Sequence, residues 1–175
     1  MLIPFAWSKN IFEIDIDFYK KLDCKVLLID LDNTLDNHTV KVPSKSVIEL
    51  FDKLKANNLD PIIVSNNNKK RVSSYASKLN CKYLYRCKKP FSKKINSYLL
   101  KEHINKNNVI MIGDQLMTDI RCAKRLGVKS ILLEKLWPNE QFVTKLLRWL
   151  DNLKRRRLRK NNLLKDWREV YGRIK

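Results

Sequence analysis

The chain has 175 residues, 44% of them apolar and 31% charged, which is enough for one buried core with a modest extension and excludes wholesale disorder. Its longest apolar runs, such as Val26-Leu27-Leu28-Ile29, fall far short of the roughly 20 residues of a spanning helix, and residues 2–7 lack the flanks of a signal peptide, so a cytosolic location is expected. Thirty-seven Lys and Arg against 18 Asp and Glu give +19, of which the last 31 residues, with 12 basic and 3 acidic side chains, hold +9; such an excess seeks a polyanion, either nucleic acid or an anionic membrane surface.

The first 20 residues read two ways: Phe12, Ile14, Ile16 and Phe18 alternate as in a strand, while their acidic neighbours suit a loop and a short helix. Residues 25–30 predict a buried strand, and Ser44 caps a predicted helix with Val47, Ile48, Phe51 and Leu54 on its apolar face. A second strand is expected at 61–65, a helix at 69–79 and a short strand at 82–85. A helix from Ser92 to about His103 would turn Ile95, Tyr98 and Leu99 to one face. A fourth strand follows at 109–113, then a helix over 116–126 ended by Gly127, and a fifth strand at 129–133. Strands alternating with helices give the α/β class: a three-layer, Rossmann-like parallel sheet of about five strands over residues 1–138, with its ligand crevice at the strands' carboxyl ends.

Residues 139–175 read as a basic helical extension. Phe142, Val143, Leu146, Leu147, Trp149, Leu150 and Leu153 form an apolar stripe beside the run Lys154-Arg155-Arg156-Arg157-Leu158-Arg159-Lys160. Two arrangements are open: the stripe lies in a membrane interface with Trp149 and Leu150 down, or it packs on the sheet and only the residues after 154 are free. On both, removing 154–175 is expected to cost charge and leave turnover of a small substrate almost unchanged.

Cys24, Cys81, Cys87 and Cys122 show no C-x-x-C pairing, and His38 and His103 are the only histidines, so reduced structural thiols are expected rather than a zinc site or a histidine-based triad. The chemistry gathers at strand ends instead. The first strand runs into Asp30-Leu31-Asp32-Asn33-Thr34-Leu35, two carboxylates two residues apart on one face, whose repulsion a divalent cation would relieve. The second ends in Ser65-Asn66-Asn67 and the fourth in Gly113-Asp114, with Asp119 five residues on; Lys88-Lys89-Pro90 opens a helix between them. All four segments fall where such a sheet places its crevice. Asp36 and His38 read as loop residues without a defined role.

The order D-L-D-N-T-L, I-V-S-N-N-N, K-K-P and I-G-D-Q-L-M-T-D resembles the haloacid dehalogenase superfamily of phosphotransferases over residues 10–135, and in particular its subfamily IIIA, which includes bacterial homologues of the mitochondrial phosphatidylglycerophosphate phosphatase. The resemblance implies Asp30 as nucleophile forming an aspartyl-phosphate and Asp32 as general acid, then base. It implies Thr34 to orient the loop, Ser65 and the Asn66 amide to bind phosphate oxygens, and Lys89 to neutralise the phosphoryl group and hold Asp30 ionised. Mg²⁺ would be held by Asp30, the Asp32 carbonyl and Asp114, with Asp119 in or just outside that shell.

The superfamily's cap domains insert after the first motif or between the second and third. Here residues 35–43 are a short loop, and the stretch from Ser65 to Lys89 fits one helix and one strand, so no cap is expected. An open site must exclude water by docking onto a large substrate or a surface. A lipid phosphate in a bilayer and a polynucleotide end both meet that need; the subfamily resemblance, together with the basic tail, implies a phospholipid head group, phosphatidylglycerophosphate, at the cytoplasmic face of the membrane, with residues 142–175 as the anionic-surface contact. A soluble or polynucleotide phosphate, and a nucleic-acid or ribosome-associated role for the basic tail, are the alternatives.

Overall fold

The computed structural model describes residues 1–134 and 145–174. Six strands form one parallel sheet: β1 (Ala6–Ser8), β2 (Val26–Ile29), β3 (Asp60–Val64), β4 (Tyr83–Leu84), β5 (Val109–Gly113) and β6 (Lys129–Leu133). Their order across the sheet is β1-β6-β5-β2-β3-β4. The α-helices among the described residues are α1 (Ile16–Lys21), α2 (Lys45–Ala56), α3 (Lys69–Leu79), α4 (Lys93–Lys101), α5 (Arg121–Leu126), α6 (Lys145–Lys160) and α7 (Trp167–Arg173).

Period-two alternation along buried strands separates two cores. Leu27, Ile29, Ile63, Ile110, Ile112, Ile131 and Leu133 face a core built with α1, α2, α3 and Trp167 of α7. Val26, Leu28, Ile62, Val64, Val109 and Met111 face another with Ile95 and Leu99 of α4 and Cys122, Ala123 and Leu126 of α5. This is the three-layer arrangement the sequence predicts. Ile48, expected on the inner face of α2, is exposed at its edge, and Leu50 takes the inward place. All four cysteines are free, and burial pushes the thiols of Cys24, Cys81 and Cys122 up to about 12.

The sheet has six strands rather than about five. The sixth comes from the ambiguous N-terminus: Ala6, Trp7 and Ser8 pair in parallel with Ile131, Leu132 and Leu133. Ile11, Ile14, Ile16 and Phe18 then bury in one turn and α1 rather than along a strand.

The tail also differs from the free-end arrangement. Arg155, Leu158 and Trp167 are buried. Leu158 joins Leu116, Ile120 and Leu132, and Trp167 packs on Phe18 with ring centroids 5.6 Å apart. Removing 154–175 would open both contacts, so truncation takes away packing as well as charge. Of the proposed apolar stripe, Phe142 and Val143 and the side chains of Leu146, Leu147 and Trp149 lie outside the described residues.

Candidate active site

Going outward from β2, the chain builds β3 and β4 on one side and β5, β6 and β1 on the other, so the order reverses between β2 and β5. Ile29 of β2 pairs with Ile112 of β5, and the Asp30 amide donates to the Ile112 carbonyl at 2.9 Å. That register carries the residues just past each strand, Asp30 and Asp114, into the crevice at the reversal.

One carboxylate oxygen from each of Asp30, Asp114 and Asp119 lies within 4.8 Å of the others, and all three residues are buried. Lys89 reaches the same space. Its ammonium donates to Asp30 Oδ1 at 2.5 Å, Asp119 Oδ1 at 2.7 Å and the Val64 carbonyl at 2.9 Å. Burial pushes the Asp30 carboxyl up, the Lys89 ammonium pulls it down, and Asp119 and Asp114 raise it again; it stands well above the usual carboxylate range. Burial opposes the charge on Lys89, but Asp119 and Asp30 overcome it and hold the amine above its ordinary range. Three clustered carboxylates against one ammonium leave an excess of negative charge in a dry place. An all-oxygen donor set with that excess fits a hard divalent cation.

The remaining expected residues surround this centre. Thr34 Oγ1 donates to Asp30 Oδ2 at 3.4 Å. Asp32 stands at the partly exposed mouth, with one oxygen accepting from Asn67 Nδ2 at 2.7 Å and the other from Arg71 Nη2 at 2.9 Å. Ser65 is buried at the end of β3, and its hydroxyl accepts from the Asn67 amide at 3.1 Å. The Asn66 side chain, beyond the role expected of its amide, clamps the Lys89 backbone: Oδ1 accepts from the Lys89 amide at 2.7 Å and Nδ2 donates to its carbonyl at 3.0 Å.

Three features were not legible in the sequence. Arg71, on the first turn of α3, holds Asp32 and also donates to the Val40 carbonyl at 2.5 Å, tying the acid to the loop before α2. Asp36, read as a residue without a role, is buried and accepts from Tyr75 Oη at 2.5 Å and the Ser44 amide at 2.9 Å. It, rather than the Ser44 hydroxyl, supplies the bond at the start of α2. The predicted helix over 116–126 opens with a wide π-type turn, Leu116–Ile120, before α5. That turn brings Asp119 back over Gly113, and Asp119 Oδ2 accepts from the Gln115 amide at 3.1 Å.

Gly113 has no room for a side chain, because a Cβ there would meet Asp119 Cβ at 2.6 Å. Gly113→Ala is expected to push Asp119 off Lys89, to cost about 1–3 kcal/mol of stability and to lower turnover on the order of 10²-fold. Thermal melting and initial rates measure the two effects.

A family model described as haloacid dehalogenase-like hydrolase matches residues 9–133. A probable phosphatase of Bacillus subtilis (strain 168), YqeG, is 32% identical over 149 residues, which cover 85% of this chain and 87% of that protein. Among solved structures, the hypothetical protein XCC2798 from Xanthomonas campestris aligns at TM-score 0.51 and 12% identity over 71% of this chain and 72% of that one. An uncharacterized protein from Listeria monocytogenes serotype 4b aligns at TM-score 0.51 and 15% identity, over 75% of this chain and 99% of that one. The two structures speak to the fold, and the family match spans every strand-end residue named above. The chain is an enzyme that belongs to the haloacid dehalogenase-like hydrolase family.

Proposed function

We propose that the chain is a phosphomonoester hydrolase that works through an aspartyl-phosphate on Asp30 and takes a phospholipid phosphate, phosphatidylglycerophosphate, at the cytoplasmic face of a membrane. The observation that carries the chemistry is the buried Asp30–Asp114–Asp119 cluster with Lys89 bridging two of its members. Its similarity to a probable phosphatase supports the same reaction.

Asp30 attacks phosphorus, held in place by Lys89 and Thr34. Asp32, fixed by Asn67 and Arg71 at the mouth, gives a proton to the leaving alkoxide and then takes one from the water that hydrolyses the acyl phosphate. Lys89 offsets charge on the transferring phosphoryl group. Ser65, beside it at the end of β3, binds a phosphate oxygen together with the Asn66 amide. Asp30, the Asp32 carbonyl and Asp114 would hold Mg²⁺, with Asp119 at the edge of its shell. The cation supplies neutralisation of the phosphoryl oxygens.

The substrate reading rests on the open mouth and on charge. Only α3 stands between β3 and β4, and residues 35–43 are a short connection, so nothing covers the crevice from those two points. The apolar side of α6 is turned inward at Leu158, while Lys154, Arg156, Arg157, Arg159 and Lys160 are exposed. That helix touches the turn carrying Asp119. Its outer face would adsorb on anionic lipid by charge rather than by insertion, each basic residue near the surface adding about 1 kcal/mol. No helix among the described residues is long and apolar enough to cross a membrane.

Phosphate release from phosphatidylglycerophosphate in anionic vesicles, set against phosphorylated sugars, nucleotides and 5′-phosphorylated oligonucleotides, tests the substrate. Reversing Arg156, Arg157 and Lys160 to Glu is expected to weaken vesicle binding at least about tenfold and to spare turnover of a small ester. Preference for RNA or DNA over anionic lipid at matched salt would contradict the lipid reading.

A further inference from the structure

We infer that Arg155 and Asp151 of α6 position the Asp114–Asp119 loop for cation binding, so that a helix beyond the matched residues 9–133 sets the affinity of the metal site. The inference rests on the reading of the carboxylate cluster as a divalent-cation site.

Asp151 and Arg155 are one helical turn apart and buried, joined by Nε to Oδ2 at 2.9 Å. Their other polar atoms bond backbone around the site, and Arg155 Nη1 also lies 3.6 Å from the Glu134 carboxylate. Asp151 Oδ1 accepts from the Met117 amide at 3.0 Å. Arg155 donates through both Nη atoms to the Leu133 carbonyl at 3.0 Å and through Nη2 to the Asp114 carbonyl. A buried ion pair is weak evidence for stability on its own, because desolvation offsets most of its attraction. Here each partner also holds backbone of the loop, Arg155 at the Asp114 carbonyl and Asp151 at the Met117 amide.

The route to the carboxylates is a single peptide group. The Asp114 carbonyl and the Gln115 N–H belong to the same planar unit. Arg155 holds its oxygen, and Asp119 Oδ2 accepts from its N–H at 3.1 Å. Rotating that plane would break both bonds at once. A charged donor on the carbonyl also polarises the N–H on the far side. Arg155 therefore fixes Asp119 Oδ2, which leaves Oδ1 directed at Lys89, and fixes the backbone from which the Asp114 side chain leaves. The side chains act through the loop, as positioning residues. Leu158 anchors the same helix by apolar contact with Leu116 and Ile120 but makes none of these polar bonds.

Titrating Mg²⁺ into the full chain by calorimetry, without substrate, separates the two roles. Arg155→Lys keeps a charge for Asp151 but loses the planar fork that spans two carbonyls. Its Mg²⁺ dissociation constant is expected to rise about 10–100-fold, while kcat at saturating Mg²⁺ recovers towards wild type. Leu158→Ala is expected to lower the melting temperature and leave Mg²⁺ affinity within about twofold, since apolar packing is its only tie to the loop. Equal Mg²⁺ affinity in wild type and Arg155→Lys, or equal weakening in both variants, overturns the positioning role. Should wild type bind no divalent cation, the underlying site reading falls instead. Hydrogen exchange on the wild-type chain serves if Arg155→Lys does not fold. Coupling is reciprocal, so Mg²⁺ must slow exchange at Met117 and along α6 more than along α2. Equal slowing in both helices overturns the inference.

Discussion

Asp30→Asn is expected to abolish phosphate release, by at least about 10⁴-fold, and to leave the fold intact. Asn cannot form the acyl phosphate, but its side-chain oxygen still accepts from Lys89 where Asp30 Oδ1 does now. The substitution also removes one of three mutually repelling buried carboxylates. The melting temperature of the metal-free variant is therefore expected to equal or exceed that of wild type. Activity within tenfold of wild type, with the fold retained, would remove Asp30 from the role of nucleophile.

Lys89→Met is expected to differ in sign on stability, with both activity and stability falling. It deletes the ammonium held between Asp30 and Asp119 and leaves their carboxylates facing each other without a cation. Breaking a buried pair from one side costs about 3–5 kcal/mol. The sign of the pH dependence follows from Asp30, whose carboxyl stands above its ordinary range because of burial and rises further without Lys89. A carboxyl raised in the folded state stabilises folding below its folded pKa and loses that contribution as pH rises through it. The deficit of Lys89→Met relative to wild type should therefore shrink as pH falls from 8 to 5. Mg²⁺ should stabilise the variant more than wild type, since it replaces the missing positive charge. Melting curves at several pH values, with and without Mg²⁺, measure this. A deficit that widens in acid would contradict the charge arrangement.

The candidate site was legible because its parts sit at strand ends. Asp30, Ser65 and Asp114 each follow a short, fully apolar run, and parallel pairing brings such ends to one edge. Lys89 was legible only from its place before Pro90, and the reason it points inward, the Asn66 clamp on its backbone, lies 23 residues away in the chain. β1 could not be read, since three residues are too few to show alternation and the partner strand lies more than 120 positions later. Asp151 and Arg155 were hidden for another reason. In a run of basic residues they look like more of the same solvated charge, and only packing of α6 against the Met117 turn buries them. The single acid among those bases, one turn before an arginine, was the signal available.

The stereochemical course at phosphorus tests the central claim most directly. A chiral phosphorothioate ester hydrolysed in isotopically labelled water passes through two in-line displacements if Asp30 forms an acyl phosphate, and each inverts the configuration. The account predicts net retention in the wild-type product. Net inversion would mean that water attacks the ester in one step, and would contradict the aspartyl-phosphate.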